Sequence, residues 1–144
     1  MSGEVFVDTN VLVYARDTSE PEKQRQAAGW MDHLWRAGTG RLSFQVLQEF
    51  YVTVTQKLKP GLPPDRARRD VRSLLAWRPV AADPHLIEGA WAIQDRYSIS
   101  WWDALIVSAA QIAGCRYLLS EDLQGQDFAR LRVIHPFLQT PVSL

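Results

Sequence analysis

The feature that most constrains this chain is an alternation of short apolar runs with stretches of helical periodicity. Glu4-Val5-Phe6-Val7 stops at Asp8, Tyr117-Leu118-Leu119 stops at Ser120-Glu121-Asp122, and Arg132-Val133-Ile134 stops just before Pro136. Runs this short, bounded by polar and turn residues, read as buried strands. Arg41 to Phe44 reads as a further strand, and Pro79 to Ala82 as a short one. Between them lie helical patterns. Val11 to Arg16 follows Thr9 and Asn10 as caps. Glu22 to Ala37 carries Trp30, Leu34 and Ala37 on one stripe and is ended by Gly38 and Gly40. Gln45 to Lys57 places Leu47, Phe50, Tyr51, Val54 and Leu58 at core-facing spacing. Asp65 to Trp77 is a basic helix with Val71, Leu74 and Leu75 inward. Pro84 opens another, with Ile87, Ala90, Trp91 and Tyr97 apolar. Trp101 to Ala113 begins at a Ser100-x-x-Asp103 capping box and ends at Gly114.

Strands joined through helices pair in parallel, and both faces of the sheet are covered. The expected fold is therefore α/β: one domain over residues 1–144, a three-layer α/β/α sandwich around a central, mostly parallel sheet of about 4-5 strands. Right-handed crossovers bring every strand-to-helix junction to one edge of the sheet, and ligands of open α/β sheets bind at that carboxyl edge.

Composition narrows the function classes. At 144 residues, 47% hydrophobic and 22% charged, the chain can bury a core. A single cysteine, Cys115, excludes an internal disulfide framework and a Cys-based zinc site. The N-terminal MSGEVFVDTN has acids where a signal peptide needs a basic patch and an apolar run. No apolar stretch reaches the ~20 residues needed to span a bilayer. The expectation is a cytoplasmic protein without a membrane partner. Sixteen basic residues balance sixteen acidic ones, yet residues 57–78 hold seven cations and two anions, a net +5.

The alternation brings four acids to the carboxyl edge. Asp8 ends the first strand. Asp122 follows the strand 117–119, with Glu121 beside it. Glu49 and Asp103 lie near the starts of helices. Each has a plainer reading alone. Asp8 can cap a helix, Glu49 shares a polar face with Gln45 and Gln56, and Asp122 suits a turn. Asp103 can close its capping box, but Ile106, Val107 and Ala110 share its face, and an acid in apolar surroundings demands a partner. Carboxylates sharing one site raise each other's pKa, and a divalent cation relieves the conflict. Oxygen-only ligands favour Mg²⁺ or Mn²⁺ over zinc, and His33, His85 and His135 lack ligand spacing. Such a site suits phosphodiester hydrolysis, with an activated water in line and a stabilised leaving oxygen.

These motifs carry a resemblance. Val5-Phe6-Val7-Asp8-Thr9-Asn10-Val11-Leu12-Val13-Tyr14 is similar to the opening of a PIN domain. Gln45-Val46-Leu47-Gln48-Glu49-Phe50-Tyr51 resembles its second acidic motif, Trp102-Asp103-Ala104-Leu105-Ile106 the third, and Leu119-Ser120-Glu121-Asp122-Leu123 the fourth. The likeness runs from about Val5 to Ile134, and its nearest look is to VapC-type toxins of type II toxin–antitoxin modules. The resemblance implies a Mg²⁺- or Mn²⁺-dependent endoribonuclease. It implies Asp8 and Asp103 as direct metal ligands, and Glu49 and Asp122 as ligands directly or through water. Thr9 would hydrogen-bond near the metal, and Ser120 stands where the family often has Thr or Ser. Glu121 is a fifth acid whose role the motif does not set. Family members are homodimers held in check by a VapB-like antitoxin, so the implied partners are RNA, that antitoxin and a second copy.

The basic window admits two readings. Lys57, Lys59, Arg66, Arg68, Arg69 and Arg72 can guide an RNA backbone, or they can form a solvated helix face in which Arg66 and Asp70, four residues apart, pair with each other. Among the tryptophans, Trp101 or Trp102, beside Asp103, is the candidate for contact with a base, and the two must diverge by ~100° on a helix. Other functions stay open at this level: a housekeeping PIN nuclease, a Mg²⁺-dependent phosphatase or phosphotransferase, and a non-catalytic RNA- or partner-binding module. Phosphatases with an Asp nucleophile carry a second Asp two residues on, where this chain has Asn10.

Overall fold

The computed structural model describes residues 3–123 and 125–144, so Met1 and Ser2 of the N-terminal stretch lie outside the described residues. Strands β1 (Val5–Val7), β2 (Gly40–Arg41), β3 (Tyr117–Leu119) and β4 (Arg132–Ile134) form a parallel sheet in the order β2-β1-β3-β4. Val5, Phe6 and Val7 pair with Tyr117, Leu118 and Leu119, and these three pair in turn with Arg132, Val133 and Ile134. Every residue of β1 and β3 is buried, as central strands covered on both faces require. At the edge, β4 exposes Arg132 and buries Ile134.

Six helices flank the sheet among the described residues: α1 (Thr9–Tyr14), α2 (Pro21–Ala37), α3 (Phe44–Val52), α4 (Pro64–Leu74), α5 (Pro84–Arg96) and α6 (Trp101–Ile112). The chain moves from β1 out to β2 through α1 and α2, then back past β1 to β3 through the remaining helices. Right-handed crossovers in opposite directions place helices on both faces. The direction of winding reverses between β1 and β3, which makes their carboxyl ends the switch point of the sheet.

Several local expectations are corrected. The second strand is only Gly40–Arg41, because Ser43 has extended geometry and its side chain caps α3 by accepting from Val46 N at 3.3 Å. Phe44 therefore opens a helix instead of closing a strand. Pro79 to Ala82 forms no strand; Val80 makes a single bridge to Ser43. The first helix is capped by Asp8, with Thr9 and Asn10 already inside it. The helix expected over 45–57 is α-helical to Val52 and continues as a π-helical turn over Thr53–Lys57. Leu75, expected inward, is 46% exposed, and Trp91, one of the apolar residues of its helix, is 51% exposed. Ala67 and Leu74 make the buried stripe of α4, and Leu86, Ala90 and Ile93 that of α5.

Trp30 anchors the core at 1% exposure, its Nε1 donating to the carbonyls of Pro136 (2.9 Å) and Gln139 (3.2 Å). Gly40 is required by packing: a Cβ there would collide with the six-membered ring of the Trp77 indole. Arg41 ties the same corner together by donating to Trp77 O at 3.0 Å and to Glu4 at 3.3 Å.

Candidate metal centre

The site grows from the switch point. β1 ends at Val7, and Asp8 N continues the ladder by donating to Leu119 O at 3.0 Å. That bond locks the exits of β1 and β3 side by side. Asp8 is 6% exposed. Its Oδ1 accepts from Thr9 N at 2.7 Å, which is the cap of α1. Its Oδ2 accepts from Ser120 Oγ at 2.7 Å and, more weakly, from Asn10 Nδ2 at 3.4 Å. Ser120 Oγ also accepts from Asp122 N at 3.1 Å, so one hydroxyl fixes Asp8 and the turn bearing Asp122.

Glu49 reaches the site from α3. Thr9 Oγ1 donates to its Oε1 at 2.6 Å and Gln45 Nε2 to its Oε2 at 3.4 Å. Asp103 reaches it from the first turn of α6, whose start is fixed by Ser100 Oγ accepting from Asp103 N at 3.1 Å. Asp122 accepts from Asn10 Nδ2 at 3.1 Å.

The acids act on one another electrostatically. Burial, first, pushes the Asp8 carboxyl up to about 6; the Ser120 and Thr9 hydrogen bonds oppose this, and the charges of Asp122 and Asp103 add to it. Asp103 is also raised, first by burial and then by Asp122 and Glu49, against a Ser100 hydrogen bond. Thr9 links Asp8 to Glu49, Asn10 links Asp8 to Asp122, and Asp103 feels the charges of Asp122 and Glu49. None of the four takes part in an ion pair found among the described residues.

The arrangement is open. Among the described residues, no three His, Cys, Asp or Glu side chains already form a cage for an ion. Neutral donors stand between the acids instead, with Asn10 bridging Asp8 and Asp122 and Thr9 held on Glu49. Acceptor-only, negatively charged oxygen donors without a protein cation fit Mg²⁺ or Mn²⁺.

Glu121 stands apart. Its carboxylate accepts from Lys23 Nζ at 3.2 Å and Tyr14 OH at 3.5 Å, and Lys23 lies over the Tyr14 and Phe137 rings. The fifth acid is thus neutralised by the protein. Asp70 does not pair with Arg66 as expected. Arg16, in the turn that follows α1, takes it in a bidentate pair, both contacts 2.7 Å, so a partner 54 residues away wins over the neighbour one helical turn away. Lys57, Lys59, Arg66, Arg68, Arg69 and Arg72 are all exposed. Lys57 shares a pocket with Thr9 and Glu49, whereas Arg68 and Arg72 line an apolar groove between α3 and α4. Sequence reasoning missed Asn10 and Lys23 as organisers of the site. Asn10 stands two residues after Asp8 and was read as a helix cap and as a missing second Asp, not as a bridge between acids, and Lys23 carried no local signal.

The model of the PIN domain family matches residues 5–133. Among solved structures, a toxin–antitoxin complex from Klebsiella pneumoniae is 15% identical, with TM-score 0.64 over 92% of this chain and 98% of that one. FitAB bound to an IR36 DNA fragment is 20% identical, with TM-score 0.72 over 92% and 95%. VapC20 of Mycobacterium tuberculosis, a Sarcin-Ricin loop cleaving toxin, is 18% identical, with TM-score 0.55 over 83% and 92%. A search of curated protein sequences finds no significant match.

Proposed function

The chain belongs to the PIN domain family, and from that premise we propose that it is a divalent-metal-dependent endoribonuclease and the VapC-like toxin of a type II toxin–antitoxin module. What supports this is the linkage of Asp8, Glu49, Asp103 and Asp122 at the β1–β3 switch point, with burial and neighbouring acids raising Asp8 and Asp103 and no cation paired to any of the four among the described residues.

Asp8 and Asp103 would hold the ion, and Glu49 and Asp122 would bind it directly or through water. When bound, Mg²⁺ or Mn²⁺ supplies charge neutralisation and lowers the pKa of a water. Ser120 keeps Asp8 oriented through its 2.7 Å bond, and Thr9 does the same for Glu49 at 2.6 Å. Asn10 holds Asp122 against Asp8 without adding charge. In the hydrolysis the water oxygen bonds to phosphorus as the P–O3′ bond breaks; the water gives up a proton and O3′ takes one up, so the products carry a 5′-phosphate and a 3′-hydroxyl. A neutral Asn10, engaged with both neighbouring acids, counts against an Asp-nucleophile phosphatase, which needs an acid there.

Lys57 and the cations of α4 guide the RNA backbone. The solved toxin–antitoxin complexes of the same fold support a VapB-like antitoxin as partner. The working form is a homodimer of one nuclease domain per chain, in the cytoplasm; no helix among the described residues is long and apolar enough to cross a membrane.

The test is cleavage of total RNA in Mg²⁺ or Mn²⁺ with product mapping. The parent cuts and leaves 5′-phosphates, and Asp103→Asn cuts at least about a hundredfold more slowly. An Asp103→Asn variant that cuts at the parent rate overturns the assignment, and so does a phosphoryl group trapped on Asp8.

A further inference from the structure

Gln48 and Glu49 line two unlike cavities, one on each side. On one side, a pocket of about 430 Å³ holds Lys57 together with Thr9 and Thr53. On the other, a groove of about 560 Å³ runs between the starts of α3 and α6, and Glu49 is its single charged lining residue. Its other walls include Phe44, Gln45, Gln48, Trp101 and Trp102. The two tryptophans diverge as adjacent helical residues must. Trp101 is half-buried and packs on Trp91 with ring centroids 6.4 Å apart. Trp102 is 62% exposed, and none of the ring contacts found involves it. Its indole therefore projects into solvent one residue from Asp103.

The polar atoms nearby are amides with spare capacity. Gln45 Nε2 makes only long contacts, 3.4 Å to Glu49 and 3.5 Å to Trp102 O. Gln48 is exposed and enters no hydrogen bond found among the described residues. A groove with a free aromatic face, two amides and one carboxylate repels phosphate. It accepts a flat, uncharged group that carries hydrogen-bond donors and acceptors on its edge. The neighbouring pocket shares the Glu49 carboxylate but offers a phosphate a cation, Lys57, that the groove lacks. A single-stranded polynucleotide separates its groups in this way, bases to one side and phosphates to the other.

Resting on the nuclease reading above, we propose that the α3–α6 groove is a base-binding subsite for a nucleotide flanking the scissile phosphate of single-stranded RNA. Trp102 supplies the stacking face, and Gln45 and Gln48 read the base edge. A base inside a duplex cannot enter, so the subsite restricts cleavage to unpaired loops and ends.

The test uses the full chain and short single-stranded RNA oligonucleotides of one sequence, intact or with an abasic residue at each position around the cut. Binding is read in EDTA by anisotropy of labelled oligonucleotide, separately from cleavage in Mg²⁺. Trp102→Ala should weaken binding of the intact oligonucleotide roughly tenfold, and Trp102→Phe much less. With the abasic residue at the subsite position, parent and Trp102→Ala should bind equally. Circular dichroism checks that the exposed substitution leaves the fold intact. Equal binding of the intact oligonucleotide by parent and Trp102→Ala overturns the proposal. So does a tenfold loss that persists on every abasic oligonucleotide, or a loss traced by sedimentation to dissociation of a dimer seated on this groove. A parent that binds as described but cuts no RNA leaves the subsite standing and removes the nuclease reading.

Discussion

Asp8 at the end of β1 and Arg69 on α4 are both charged, and the fold treats them in opposite ways. Asp8 is 6% exposed, fixed by hydrogen bonds from Ser120 and Thr9, and pushed up to about 6 by burial and by neighbouring acids. Arg69 stands in solvent with Arg66, Arg68 and Arg72 on a helix that buries only Ala67 and Leu74. Holding the acids together costs free energy. Displaying the cations costs almost nothing, because each keeps its water. The contrast teaches where to look for function: charge that the structure works to retain against its own electrostatics marks chemistry, whereas charge left in solvent marks long-range attraction.

The sharpest way to break this comparison is Asp8→Asn. Cleavage should fall about a hundredfold or more. In the absence of divalent metal, however, the variant should be at least as stable as the parent at pH 8, since the substitution removes a buried charge. Urea unfolding in EDTA measures this; an Asp8→Asn chain clearly less stable than the parent there would mean that the carboxylate is structural. Adding Mn²⁺ should raise the Tm of the parent and leave that of Asp8→Asn unmoved.

A second effect follows from sign. The native Asp8 pKa, about 6, lies above its ordinary 3.8, so the folded state binds the proton more tightly. The penalty is complete above pH 6 and is relieved as pH falls toward 4. A shift of this size corresponds to at most about 3 kcal/mol. The raised Asp103 acts in the same direction. Metal-free parent should therefore gain stability on acidification across that window, relative to Asp8→Asn. Parallel stability–pH curves for the two would place Asp8 in a solvated setting.

The smallest effects belong to the cations. Arg66→Ala and Arg69→Ala should each change stability by no more than about 0.5 kcal/mol. Binding of RNA should weaken by a similar factor for every sequence, and the slope of log K against log salt should flatten by about 0.7 for each phosphate that the variant no longer neutralises. A sequence-dependent loss would show that these arginines read bases.

Much of this molecule was legible beforehand, and the residues show why. The runs 5–7, 117–119 and 132–134 are strands as read; burial on both faces leaves the central two with an uninterrupted apolar signature, whereas the edge strand 132–134 begins with the exposed Arg132. Ser100 caps α6 as its spacing indicated. The errors fall where two local rules compete. In Arg41-Leu42-Ser43-Phe44 the apolar residues argued for a strand, but the serine cap took precedence. Leu75 had helical spacing, yet it faces an open groove beside Phe44 and Val52 that nothing in this chain covers among the described residues.

The sequence by itself determined the alternation of strand and helix, hence a parallel sheet and the edge to which Asp8, Glu49, Asp103 and Asp122 come. Periodicity and caps are local, so they survive in one dimension. Only the tertiary structure decided the partners. Glu121 goes to Lys23 and Asp70 to Arg16, 98 and 54 residues away, and Asn10 reaches across to Asp122. Those choices depend on distances between packed elements, which no spacing along the chain encodes. They separate the four acids at that edge, which enter no ion pair among the described residues, from the acids the protein neutralises for itself.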